Sequence, residues 1–248
     1  MNRSGRLSLL AGVLSILHFS EVNGGVIIAG TDTPSQSTAL FTIHINNPYY
    51  PGGLTETISL SSGPFSILRQ QQQGLGDGTP SSFIDTELRG LTLTGNSATF
   101  GPLTVRVGSD NGVQQGASPG QLQNVLTTTP GTPILVGPED FVSGDSFFDV
   151  FFEIDVAGLT FYNREPHVLT APGITSLPPV GSTHFPSGTV DLFFRVGSDN
   201  SPNDPLIGYA GGSHTITPEP ASFAVLSLGF LAAVVISRRH QRRQLPVS

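Results

Sequence analysis

The sequence predicts an all-β protein, a β-sandwich or jelly-roll-like domain, on three observations. Apolar residues recur at every second position in several short runs, the period of a strand with one face in a core and one toward water. Thirty glycines and twenty prolines among 248 residues break helices and favour short strands joined by turns. No stretch outside the termini carries a 3.6-residue apolar period. About ten short strands separated by turn residues fit that fold class.

Taken in order, a first short strand is expected over 25–29. Phe41, Ile43 and Ile45 then alternate with Thr42 and His44. Shorter candidates cover 55–60, 65–68 and 91–94, after which Leu103, Val105 and Val107 alternate with Thr104 and Arg106. Another short run lies at 134–136. The clearest strand is 148–156, with Phe148, Val150, Phe152, Ile154 and Val156 inward and Asp149, Phe151, Glu153 and Asp155 toward water. Residues 190–196 repeat the design, with Val190, Leu192, Phe194 and Val196 inward and Asp191, Phe193 and Arg195 outward. A run at 206–210 completes the series. Three looser segments, 69–82, 112–133 and 165–188, read as long loops, where a domain of this kind binds its ligand.

Charge is distributed unevenly. Between residues 25 and 217 there are five arginines, no lysine and sixteen carboxylates, a net charge near −11 against −7 for the whole chain. Nucleic acid is not an expected partner of such a domain, because phosphate contacts need clustered Lys and Arg. The balance suits Ca²⁺ or another hard cation, or solubility outside a cell. Cysteine is absent, so disulfides, thiol chemistry and iron–sulfur clusters are excluded. Stability must come from a hydrophobic core, for which sixteen phenylalanines supply material.

One internal repeat stands out: the six residues Arg106 to Asn111 recur letter for letter from Arg195 to Asn200. Each copy ends an alternating strand and enters a loop. The spacing of 89 residues allows two related halves, although the flanks diverge. The bland reading is a shared strand-end turn, in which Gly permits positive φ and Ser, Asp and Asn bond their own backbone. The functional reading is a Ca²⁺ site, with Asp199, Asn200 and Asp204 as ligands of the second copy. No EF-hand loop accompanies them.

No catalytic residue is assigned. His44, His167, His184 and His214 sit in no zinc-ligand spacing, and no nucleophile elbow or lysine-bearing phosphate loop occurs. His44 reads as a surface residue and His184 as part of a proline-rich loop. Asp149, Glu153 and Asp155 share a strand face at spacings that suit an inverting glycosidase. Solvated acidic faces are the commoner case, and the expectation is a protein without enzymatic activity.

The two ends carry an address. Arg3 and Arg6 precede an apolar run over 7–17 and a small-residue exit, the layout of a signal peptide over 1–24 cleaved after Gly24. At the other end stand Pro218, Glu219 and Pro220, then sixteen uncharged residues over 221–236, then Arg238, Arg239, Arg242 and Arg243. Sixteen helical residues rise about 24 Å, short of a ~30 Å hydrocarbon core, so the span is a marginal anchor. The arginines mark its cytoplasmic side and place residues 25–217 outside. The prolines hold the tripeptide extended, in a form that a protease can read.

This order of tripeptide, span and basic cluster over 218–243 resembles the sorting signal of the PEP-CTERM family of exported bacterial proteins. The resemblance covers the tail alone. It implies a Gram-negative host, secretion, transient insertion in the inner membrane, and handling by an exosortase-type membrane protease. It also implies a place at the cell surface or in a biofilm, with exopolysaccharide or surface glycan as partner. A structural or adhesive role is the leading expectation. The alternative is a secreted carbohydrate-binding or carbohydrate-active domain on the same fold, with Tyr49, Tyr50 and Tyr162 as sugar-stacking candidates; the lack of tryptophan weakens it.

Overall fold

The computed structural model describes residues 25–46, 52–129 and 134–218. These are all-β: seventeen strands, numbered here in chain order, and two 3₁₀ turns, with no α-helix among the described residues. β1 (Val26–Ile27) and β10 (Leu135–Val136) form a small parallel pair.

Eight antiparallel strands close into a ring. β3 (Ser37–Ile45) pairs with β4 (Leu54–Ser62), which meets the hairpin of β7 (Leu91–Ser97) and β8 (Gly101–Val107). β8 pairs with β12 (Phe152–Val156), which turns into β13 (Leu159–Tyr162). β13 pairs with β16 (Val190–Phe194), and β17 (Leu206–Ile216) joins β16 back to β3. A ring of eight strands has an interior just wide enough for side chains to fill.

The remaining strands form an antiparallel wing in the order β15 (Thr183–Pro186), β14 (His167–Ile174), β11 (Phe141–Val150), β9 (Ser118–Thr127), β6 (Ile84–Leu88), β5 (Ile67–Arg69) and β2 (Gly30–Asp32). Two junctions join wing to ring. Along its eleven residues, β17 gives Leu206 to Ala210 to β16, and Thr215 and His214 to β15. The other junction is the predicted strand 148–156, which passes from the wing into the ring at Phe151. There Ser118 Oγ meets both Phe151 N (3.1 Å) and Phe151 O (3.3 Å), while Asn163 accepts from Phe152 N at 2.8 Å and donates to Val150 O at 2.9 Å. Both side chains are wholly buried, and they satisfy the backbone groups that leaving one sheet for another exposes.

The main core fills the ring and continues under the wing. Phe41, Leu93, Val105, Phe152 and Ile154 of the ring belong to the same cluster as Ile67, Leu88, Phe148, Val150 and Leu169 of the wing. A smaller core of Ile27, Ile84, Leu122, Val125, Phe141 and Ile174 lies beneath β1 and β10. The inward residues expected in 148–156 are all buried, and Phe151 is only half-buried. Phe152→Leu is therefore expected to cost about 1–2 kcal/mol and Phe151→Leu clearly less, read by urea denaturation. Equal losses would contradict this assignment of faces.

Several local expectations change. Glu153, expected in water, is fully buried, and Val196, expected inward, is 69% exposed because β16 ends at Phe194. The segments 112–133 and 165–188 are not simply loops, since they hold β9, β14 and β15. β9 is rich in Gln, Ser and Gly, and in β14 Pro172 sits where the register with β11 shifts, between Ala171 and Ile174, a place where a strand tolerates proline. The repeat does not define two separate halves: its copies end β8 and β16, which flank the β12–β13 hairpin in one ring.

Candidate functional site

The two copies of the repeat converge on Glu153. Arg106 donates to Glu153 Oε2 at 2.7 Å and to Asp155 Oδ2 at 2.8 Å. Arg195 pairs with Glu153 Oε1, which also accepts from Gln114 N at 3.0 Å. Within each copy the arginine returns to its own asparagine: Arg106 to Asn111 O at 3.0 Å, Arg195 to Asn200 Oδ1 at 2.6 Å. Gln114 ties the copies together, donating to Ser198 O at 2.9 Å and accepting from Asn200 N. The glycines differ. Gly108 has φ +85, and an added Cβ would lie 2.2 Å from Arg89 O, whereas Gly197 is in open space at negative or extended φ. Identical letters thus serve one tightly constrained turn and one open loop.

The residues expected to hold Ca²⁺ are engaged with protein donors. Asp204 accepts from Ser201 N (3.0 Å), Tyr162 Oη (2.8 Å) and Val196 N (3.3 Å). Its carboxyl is held below the usual range by the Ser201 backbone bond first, with Tyr162 and Val196 adding to it. The Asn200 amide lies between Arg195 and Gln115. Asp199 lies in the exposed part of the loop, with Gln114 3.4 Å from its Oδ1. Among the described residues no three His, Cys, Asp or Glu side chains are grouped so as to hold a metal ion. The Ser201 and Val196 backbone bonds to Asp204 close the loop as a turn.

Two of the three carboxylates that suggested glycoside chemistry, Glu153 and Asp155, are committed as well. Glu153 is clamped by arginines. At Asp155 burial opposes ionisation, but bonds from Arg106 and Thr160 outweigh it and lower the carboxyl below its ordinary range. Both carboxylates are engaged in ion pairs with the repeat arginines. Tyr162 is fully buried, its ring 6.0 Å from Phe193, and Arg164 lies 3.6 Å over the Phe193 ring. It is no sugar platform. Tyr49 and Tyr50 lie outside the described residues, as do the signal segment 1–24, Glu219, Pro220, the span 221–236 and the four tail arginines. No helix among the described residues is long and apolar enough to cross a membrane.

Three histidines are interior, which the sequence pattern did not indicate. His184 of β15 is the cross-strand partner of His214 of β17, and His167 of β14 bonds the Gly212 backbone. His184 Nε2 lies 2.9 Å from Ser146 Oγ, while His184 Nδ1 and His214 Nε2 have no hydrogen-bond partner among the described residues. A void of about 40 Å³ lies beside His167 and His214, walled by Phe41, Leu93, Val105 and Phe152. That is room for ordered water rather than for a substrate.

The outer face of the ring is different in kind. Thr183, Thr215, Thr38, Ser61, Thr94 and Thr104 are successive cross-strand partners over β15, β17, β3, β4, β7 and β8. With strands ~4.8 Å apart, this row of hydroxyls runs about 24 Å. Beside it Ser213, Leu40 and Ser59 form a second row, with Phe185 on β15. Thr183, Thr215, Thr38 and Ser61 of the first row, with this second row and Phe185, line an open groove of about 660 Å³. Further along, His44 stacks on Tyr209 with centroids 4.5 Å apart and donates to or accepts from Thr55 at 2.7 Å. Leu40, Phe185 and Tyr209 are 56%, 59% and 40% exposed. Their placement is legible only once the register is known, because each strand alone shows just alternate Ser and Thr.

Comparison with protein-family models gives no match, and comparison with curated proteins gives none. Among solved structures, the chain is similar to DynF from the dynemicin biosynthesis pathway of Micromonospora chersina. The two are 20% identical, with 79% of this chain and 84% of that chain covered and a TM-score of 0.54. At that identity the likeness shows the fold alone: an antiparallel β-barrel with additional strands.

Proposed function

We propose that the protein is an exported, non-enzymatic component of the cell surface or extracellular matrix, sorted by an exosortase-type protease and associated with exopolysaccharide. The observation that carries this reading is the ordered tail: Pro218-Glu219-Pro220, an uncharged stretch of sixteen residues, and four arginines within six positions. The signal-like segment at the other end supports it, as do the absence of cysteine and the acidic 25–217 region. The marginal length of the span favours a transient anchor in the inner membrane over a permanent one. In the domain itself, Glu153 and Asp155, two of the three carboxylates that suggested hydrolysis, are held in ion pairs, which favours binding or structure over catalysis. The domain would then be a β-barrel module displayed outside the cell rather than a sandwich enzyme.

Mature protein from the native host is expected to begin near Gly25 and to lack 221–236, as read by intact mass. Recovery of tail peptides containing Val234 or Arg238 in surface-located protein would overturn the processing step. A polysaccharide pull-down with and without Ca²⁺ tests the partner, and retention that needs Ca²⁺ would return the 199–204 loop to consideration.

A further inference from the structure

We propose that the outer face of β15, β17, β3, β4 and β7 is a docking surface for a neutral polysaccharide chain laid across the strands. The proposal rests on the exported reading for its biological setting, but its chemistry comes from the face itself. Three properties coincide there.

First, the hydroxyls are in lateral register. Thr183 to Thr94 form an unbroken row across these five strands, and hydroxyls both donate and accept. A polymer of hydroxyl-bearing rings meets such a row at repeated intervals. Within the row Thr183 pairs with Thr215 at 2.8 Å, and elsewhere on the face Thr42 pairs with Thr57 at 2.9 Å, which fixes their positions before a ligand arrives.

Second, the apolar platforms are isolated rather than massed. Phe185 and Leu40 stand in the groove and Tyr209, braced by His44, stands further along β17. Separate flat apolar surfaces among hydroxyls suit sugar rings, whose faces are apolar and whose edges are polar. A stable protein partner would call instead for a contiguous apolar centre.

Third, these five strands present no charged side chain outward in a strongly acidic domain; the nearest carboxylate is the exposed Asp191 of β16, the cross-strand partner of Tyr209 at the edge of the face. Among the described residues, no carboxylate or arginine occupies an outward position on these five strands; the outward residues of β3 and β4 are Thr38, Leu40, Thr42, His44, Thr55, Thr57, Ser59 and Ser61. An anionic polymer would be repelled by the domain's net charge and would find no cation here. A neutral chain meets neither obstacle.

The test uses the full-length chain in detergent, with a neutral glucan (dextran and an insoluble β-glucan) and a uronate polymer (alginate) as probes. Retention on at least one neutral glucan is expected, with no gain on alginate. Phe185→Ala combined with Tyr209→Ala is expected to weaken it about tenfold, the scale of an aromatic hot spot, and Ser61→Glu to weaken it through charge and bulk in the row. All three positions are solvent-facing, and an unchanged melting temperature would establish that the fold is intact. Retention unaltered by these changes, or preference for alginate, would overturn the proposal. So would a concentration-dependent dimer abolished by the same substitutions, since the occupant would then be a second copy. Tail processing is measured separately by intact mass, so failed export with intact glucan binding, or the converse, tells the two readings apart.

Discussion

Glu153→Ala is expected to lower folding stability by about 3–5 kcal/mol, because it removes one partner of a buried ion cluster and leaves the others uncompensated. Glu153 is fully buried, with both oxygens occupied: Arg106 on one, Arg195 and the Gln114 backbone on the other. The Arg195 side chain is 11% exposed and that of Arg106 27%, so water replaces the lost carboxylate poorly, least of all at Arg195. The Arg106 guanidinium keeps Asp155 and Asn111, while among the described residues that of Arg195 keeps only Asn200 as a hydrogen-bond partner. The loss should therefore fall mainly on the second repeat copy and its loop. Glu153→Gln, which keeps an acceptor and the shape, should cost less. Urea denaturation of the two variants, with Arg195→Met completing a double-mutant cycle, measures the coupling. A Glu153→Ala loss below about 1 kcal/mol, the range of an exposed pair, would mean that the cluster is solvated.

That cluster also shows where sequence reading reached and where it stopped. The all-β class was legible because alternation is local, and the inward residues of 148–156 followed from it. Closure of the ring was not, since it depends on the pairing of β17 with both β16 and β3, contacts between distant segments with no local signature. Glu153 sits at an outward position of its strand, and period alone assigns it to water. What reverses this is the pair of repeated arginines flanking it, Arg106 on β8 and Arg195 just past the end of β16. The repeat was visible in the sequence, but its convergence on one carboxylate was not. The strands β9, β14 and β15 escaped notice because polar residues and proline occupy them, their burial coming from a wing that covers one side. The hydroxyl rows needed cross-strand register, and the interior histidines needed to be strand residues facing inward rather than parts of a loop.

Those histidines give the protein an expected acid sensitivity with a defined window. Burial lowers His184 to about 4 and His214 to about 3, the latter also through the nearby His184, and it lowers His167 despite the Gly212 bond. None of the three has a carboxylate among its hydrogen-bond partners. Unfolding returns each imidazole to an ordinary value of ~6.5. Between that value and the folded one the unfolded chain binds more protons, so stability is complete above about pH 6.5 and falls as pH drops. For His184 alone, moving from ~6.5 to about 4 corresponds to a loss of about 3 kcal/mol by pH 4. The lowered carboxylates Asp155 and Asp204 act later, as they lose their contribution only when pH falls below the ordinary Asp range near 4. The stretch from pH 6.5 to 4.5 therefore isolates the histidines. Urea midpoints measured across it should decline steadily, and His184→Gln with His214→Gln should flatten the slope even if the variant is less stable at pH 7. A wild-type midpoint unchanged between pH 7 and pH 5 would require the imidazoles to reach water in the folded state, against their position between β15, β17 and the core at Phe148 and Phe65.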